Sequence, residues 1–282
     1  MAEARALARR YVRQLGVAAR MDFLLLLTSR KQAALWAITD FIAYTVDLGA
    51  VLLLAQTFGG GLVGWSVGEL LFLYGFSTTA AAMRMVLFNY NTSAVSRRIG
   101  RGQLDHTLVQ PQPLALSFAT EGFSPFSSIG ALLPGLALLV IGIAAANVHL
   151  DPAFVAKLVV CIASSMFLVL AAGFAIGAAA FWAPRGAEEI STRANQLLTL
   201  TDFPFDPLPA RLRTALLTAL PAGFVAWFPA SVLLGRRPPD QWVFVPLVAT
   251  AAALVAAAIF RKGLRHYERT GSTRYSTFGH RR

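Results

Sequence analysis

Apolar stretches near the ~20 residues that a helix needs to cross a hydrocarbon core recur along this chain, at residues 33–58, 65–88, 114–148, 154–182, 216–234 and 242–260. Inside lipid every backbone polar group must be satisfied within its own segment, so these runs predict an all-α integral membrane protein with six transmembrane helices. With 56% hydrophobic and 14% charged residues, and a mean hydropathy of +0.58, the chain is too apolar for water to be its main solvent.

A net charge of +11 would point to nucleic acid in a soluble protein, but here the basic residues flank the spans, so no nucleic-acid partner is expected. Arg5, Arg9, Arg10, Arg13, Arg20, Arg30 and Lys31 precede the first run; Arg261, Lys262, Arg265, Arg269, Arg274, Arg281 and Arg282 follow the last. Arg97, Arg98 and Arg101 lie between the second and third runs, whereas 59–64 and 147–152 hold no Lys or Arg. This alternation predicts both termini in the cytoplasm, in the inner membrane of a cell whose Ala-, Arg- and Gly-rich composition suits a bacterium with a GC-rich genome.

Three regions follow: an N-terminal cytoplasmic segment (1–32), a transmembrane domain (33–260, with a loop at about 89–113) and a basic cytoplasmic tail (261–282). Within the first, Leu7, Tyr11 and Leu15 recur at i, i+4, i+8 among arginines, which predicts a helix over 2–16 lying on an anionic leaflet; a disordered basic leader is the competing reading. No apolar h-region marks a cleavable signal, and the single cysteine, Cys161, allows no intrachain disulfide. The triplet at 59–61 predicts a hairpin between spans. Two topologies compete after residue 185. Either 216–234 is a simple fifth span, or 188–201 begins a semi-polar one and 208–234, broken by Pro221 and Pro229, dips in and returns; the second is preferred.

The lysines, Lys31, Lys157 and Lys262, follow no phosphate-binding glycine pattern, so the chain has no ATPase motif of its own. His106, His149, His266 and His280 lack metal-ligand spacing, no nucleophile elbow occurs, and neither a metal, a cofactor nor an enzymatic activity is expected in this chain. Ionisable groups inside spans are the functional candidates. Asp40, Tyr44 and Asp47 share one helix face. At ~1.5 Å per residue Asp40 and Arg84 lie roughly 10 and 9 Å from the inner ends of their spans, a depth at which they either pair or leave Asp40 facing a substrate route. Asp47, about 21 Å along by that rise, either contacts a cationic substrate or proton or is neutralised by a neighbouring helix. Glu69, Glu121 and Lys157, near span ends, are expected to snorkel. Between the second and third runs, a short helix over 102–109 would carry Leu104 and Leu108 on one face and expose Arg101, Asp105 and His106. Such a helix would suit a groove on a soluble partner, while a merely solvated connection is the alternative.

Three motifs give the chain a family resemblance: Gly64-Trp65-Ser66-Val67-Gly68-Glu69-Leu70; Arg101-Gly102-Gln103-Leu104-Asp105-His106-Thr107-Leu108-Val109-Gln110-Pro111; and Leu220-Pro221-Ala222-Gly223-Phe224-Val225-Ala226-Trp227-Phe228-Pro229-Ala230. In these the chain resembles the permease subunits of ABC type-2 exporters, departing with Gln103 where the family often shows Glu and without the residue usual between Arg and Gly. The resemblance implies six transmembrane helices of the ABC type-2 fold with a re-entrant hairpin before the last span. It also implies a second permease, identical or homologous, and two copies of a separate nucleotide-binding subunit that carries the ATP and Mg. Residues 97–109 would be the coupling helix, with Arg97, Arg98, Arg101, Gln103, Leu104, Asp105 and Leu108 transmitting ATP closure. Asp40, Tyr44, Asp47 and Arg84 would line the path of a lipophilic or amphiphilic molecule of the drug or natural-product class. A secondary transporter or channel would be expected to show an internal repeat, which the sequence lacks.

Overall fold

The computed structural model describes residues 2–57, 61–62, 64–88, 96–99, 102–110, 114, 117, 122–183, 189–190, 201, 203–218 and 221–271. The helices are α1 (Ala2–Thr28), α2 (Arg30–Thr57), α3 (Val67–Phe88), α4 (Leu104–Leu108), α5 (Ile129–Ala145), α6 (Pro152–Gly177), α7 (Ala210–Thr218), α8 (Trp227–Leu233) and α9 (Phe244–Thr270). Among the described residues, four stretches are long and apolar enough to cross a membrane: Arg30–Ala50, Val67–Phe88, Pro152–Phe181 and Pro239–Thr270. α5 is apolar but shorter.

The N-terminal helix is longer than the 2–16 read from the sequence. α1 runs on through Met21-Asp22-Phe23-Leu24-Leu25-Leu26-Leu27, where methionine and four leucines favour helix and no glycine or proline interrupts it, and Met21, Leu24, Leu25 and Leu27 stay exposed on the chain. The ladder barely breaks at Ser29, whose N–H donates to Leu25 O (2.9 Å) and whose carbonyl accepts from Ala33 (3.0 Å). Before α3, β1 (Gly61–Leu62) pairs antiparallel with β2 (Trp65–Ser66) around Gly64 (φ +79°), while Gly59 and Gly60 of the expected hairpin lie outside the described residues. Ser66 and Glu69 then form a capping box: the Ser66 N–H donates to Glu69 Oε2 (2.7 Å) and the Glu69 N–H donates to Ser66 Oγ (3.3 Å).

Within the third apolar run the described stretch 122–128 is turn, and α5 begins at Ile129. Asp22 of α1 explains the late start. Its carboxylate accepts from the N–H groups of Phe126 (2.8 Å) and Ser127 (3.0 Å) and from the Ser127 hydroxyl, while Phe23 packs on Phe126 at 5.2 Å. Removing this acceptor orphans two backbone donors beside an apolar core, a loss of roughly 2 kcal/mol. Asp22→Ala is therefore expected to lower the melting temperature of the detergent-solubilised chain by about 5 °C, read by differential scanning fluorimetry.

α3 packs most extensively on α5, and α6 on α9. The first contact is backbone on backbone: a Cβ on Gly68 would sit 2.5 Å from the Ala145 carbonyl carbon, one on Gly135 would sit 2.9 Å from Thr79 N, and Gly75 and Gly142 face Leu139 and Phe72 at still closer range. Seven-residue spacing, Gly68 to Gly75 and Gly135 to Gly142, aligns the bare faces, so the two helices approach without a side-chain layer between them. The run at 216–234 is not one continuous helix. α7 gives way to a 3₁₀ turn at Pro221–Phe224 and then to the seven-residue α8, with Trp227, Phe228 and Pro229 buried. Apart from Glu189, Ile190 and Thr201, the segment 188–201 lies outside the described residues.

Candidate functional site

Polar contacts gather at the two ends of α9. At its C-terminal end, residues 96–99 form a helical turn that Gly102 (φ +68°) closes: the Gly102 N–H donates to Ile99 O (3.1 Å) and the Gln103 N–H to Arg98 O (2.8 Å), the paired bonds of a Schellman ending. The chain then turns into α4. Leu104, 0% exposed, lies in a cluster with Ile99, Ala178, Ala180, Phe181 and Tyr267. Asp105 Oδ1 accepts from the Tyr267 hydroxyl at 2.8 Å, tying α4 to α9. Phe181 holds the cluster together, meeting Tyr267 at 6.0 Å and Phe260 at 5.4 Å, and it fits against α9 only because residue 263 is glycine.

This arrangement corrects the docking face read from spacing. Leu104 and Leu108 do not both face a partner: Leu104 is built into the chain's own core, and Asp105 is half-buried against Tyr267. What faces outward is Gln103, His106, Leu108 and Val109, the last 82% exposed. Arg97 is exposed, and Arg98 is half-buried, its pKa lowered by that burial. Arg101 lies outside the described residues.

At the N-terminal end of α9 the organising group is Asp206. Its Oδ2 accepts from both the Trp65 indole N–H (2.7 Å) and that of Trp227 (2.8 Å), and Arg213 reaches its carbonyl at 3.5 Å. Two guanidinium groups cover these rings: Arg236 lies 4.5 Å above Trp65, and Arg237 lies 4.7 Å above Trp227 and 5.0 Å from Phe228. Arg236 also bonds Glu69 Oε1 at 2.9 Å and the Gly64 carbonyl at 3.0 Å, so Glu69 is an ion-pair and capping residue rather than a snorkelling one. Burial lowers the Arg237 pKa, the Asp206 carboxylate raises it, and Arg213 lowers it further. Asp206, Arg236, Arg237 and Gln241 line a cavity of about 520 Å³ there.

The candidates inside the spans are less concentrated. Asp40 is half-buried against the first turn of α5, where a Cβ on Gly130 would lie 3.5 Å from its Oδ2; a carboxylate at a helix N-terminus is electrostatically favoured. The Tyr44 carbonyl accepts from the Tyr74 hydroxyl (3.4 Å), joining α2 to α3. Arg84 is half-buried on the last turns of α3, and the side chain of Asp47 lies outside the described residues.

Sequence reasoning missed Asp206, Trp227, Arg236, Arg237 and Tyr267. A usable signal existed for two of them: Arg236-Arg237 is a basic pair at an apolar segment's end where the positive-inside pattern expects none. Among the described residues no cluster of His, Cys, Asp and Glu is suited to a metal.

A family model described as ABC-2 family transporter protein matches residues 41–271. No curated protein and no solved structure matches the chain.

Proposed function

The chain belongs to the ABC-2 transporter family as a membrane-spanning permease subunit, and from that premise we propose that it exports its cargo with energy from ATP hydrolysed on a separate nucleotide-binding subunit. Two copies of that subunit, carrying ATP and Mg, would serve a pair of permeases, identical or homologous. The observation that carries the reading is the outward apolar tip of α4, Leu108 and Val109, on a helix anchored from behind by Leu104 and by the Asp105–Tyr267 bond. A tip free for a partner and a base fixed to α6 and α9 is what force transmission needs: closure of the ATPase pushes the tip, and the buried base carries the displacement into the bundle. Because α3 and α5 meet through bare glycine faces, they would move as one body.

On this reading both basic ends lie in the cytoplasm of a bacterial cell, the Asp206 cluster faces outside, and 208–234 is a re-entrant hairpin. Asp40 and Asp47 on one face of α2, with Tyr44 and Arg84, support an amphiphilic cation of the drug or natural-product class as cargo. Outward-facing Leu35, Ile38, Phe41 and Ile42 on α2 offer a lipid-facing or permease-facing surface.

The test is co-expression with an ABC nucleotide-binding subunit, scored by co-purification and ATP hydrolysis in lipid. The wild-type chain should retain the subunit; Val109→Asp should lose it by at least tenfold, since a charge then enters an apolar contact. Tyr267→Phe should retain the subunit yet lower ATP-driven transport several-fold, because the tip docks but its base has lost the Asp105 bond. A folded wild-type chain that retains no such subunit overturns the reading.

A further inference from the structure

A second cavity of about 520 Å³ opens along the seam of α6 and α9, between the middle of α9 and its basic end. It exists because the α9 residues facing it, Ala253, Ala256 and Ala257, are too small to reach Phe167 and Phe174 across the seam. The walls are apolar throughout, and one charged residue borders them: Arg261, exposed at the basic end of α9, with Lys262 and Arg265 exposed beside it. From Ala253 to Leu264 the slot follows eleven helical steps, about 16 Å at the helical rise, close to half of a ~30 Å hydrocarbon core. Length, polarity and charge all describe one leaflet's worth of acyl chain with an anionic group at its mouth.

We propose that this slot binds an acyl chain of an anionic phospholipid from the leaflet at the basic end of the bundle, with the lipid phosphodiester held by Arg261. Apolar burial retains the chain, and the guanidinium, a planar donor matched to phosphate oxygens, selects the headgroup. No carboxylate borders the slot among the described residues, so nothing there competes for Arg261 or favours a cationic lipid. The site is separate from the α4 tip and from Asp206, and it requires only that the chain sit in a bilayer, so it stands or falls independently of the ATPase partner.

Native mass spectrometry of the 282-residue chain, equilibrated in detergent with equal amounts of dioleoylphosphatidylglycerol and dioleoylphosphatidylcholine, tests it. The expected spectrum shows one phosphatidylglycerol retained at least tenfold over phosphatidylcholine. Ala257→Trp, which fills the slot, should remove that adduct. Arg261→Gln, a change at an exposed position that leaves the core packing untouched, should keep a lipid adduct but bring the two headgroups to within about twofold. Equal retention of both lipids by the wild-type chain, an undiminished preference for phosphatidylglycerol in Arg261→Gln, or an undiminished adduct in a monodisperse Ala257→Trp overturns the proposal.

Discussion

Gly142→Leu should leave no monodisperse protein after extraction in mild detergent, where Gly49→Leu should elute as the wild type does. Both changes give a helix a better helix former, a gain of about 1 kcal/mol. They differ in what the new side chain meets. Gly49 has nothing within 4 Å of its missing Cβ, whereas a Cβ on Gly142 runs into the backbone of Leu71 and Phe72 in α3. Overpacking against movable side chains typically costs ~1–3 kcal/mol, and here no rotamer change relieves it, because the obstacle is main chain. The α3–α5 contact would have to separate by the thickness of a side chain along its whole length, since Gly68, Gly75 and Gly135 depend on the same approach. Fluorescence-detected size exclusion of the tagged variants checks this; equal profiles for the two leucine variants would refute the close contact.

Asp206→Ala should lower the melting temperature by roughly 10 °C, on the order of 3 kcal/mol for a lost charge-assisted acceptor serving two buried donors. Trp65 and Trp227 are each 1% exposed, so loss of the carboxylate leaves two buried indole N–H groups without their protein acceptor. The Arg237 guanidinium loses its compensating charge in the same step. Asp206→Asn, which keeps one carbonyl oxygen, should recover about half of the loss. Trp227→Phe removes a single donor and leaves the acceptor filled by Trp65, so it should cost less than the alanine change. Thermal denaturation of all three in one detergent separates these expectations; an alanine variant as stable as the phenylalanine one would deny Asp206 its central place.

The helices that sequence made visible are those whose whole length is apolar. Residues 65–88 and 154–182 correspond closely to α3 and to α6 with its 3₁₀ extension, because hydropathy responds to the solvent a segment will meet. The same scale is blind inside an apolar run. It did not distinguish turns at 122–128 from helix at 129–145, since the late start of α5 is set by a carboxylate more than a hundred positions away in α1. α4 was visible as a short helix but not in its orientation. Five residues make little more than one turn, so the shared face of Leu104 and Leu108 says nothing about which end enters a crevice. Asp206 sits among Pro204, Pro207 and Pro209, where no periodicity marks a position, and its importance comes from indoles that are 141 and 21 residues away in sequence. The glycine faces were legible in principle as matched seven-residue spacings; they carry no hydropathy signal.

The shared carboxylate also has an optical consequence. Of the chain's five tryptophans, Trp65 and Trp227 are shielded from water, capped by guanidinium groups and bonded to one oxygen, while Trp36 and Trp182 are open to their surroundings. Their emission therefore divides into a class shielded by protein, Trp65 and Trp227, and one open to the surroundings, in which Trp36 on α2 meets a lipid-soluble quencher. Any motion that parts Asp206 from both β2 and α8 transfers two fluorophores from the first class to the second, so the unlabelled protein reports the opening of that end by its own light.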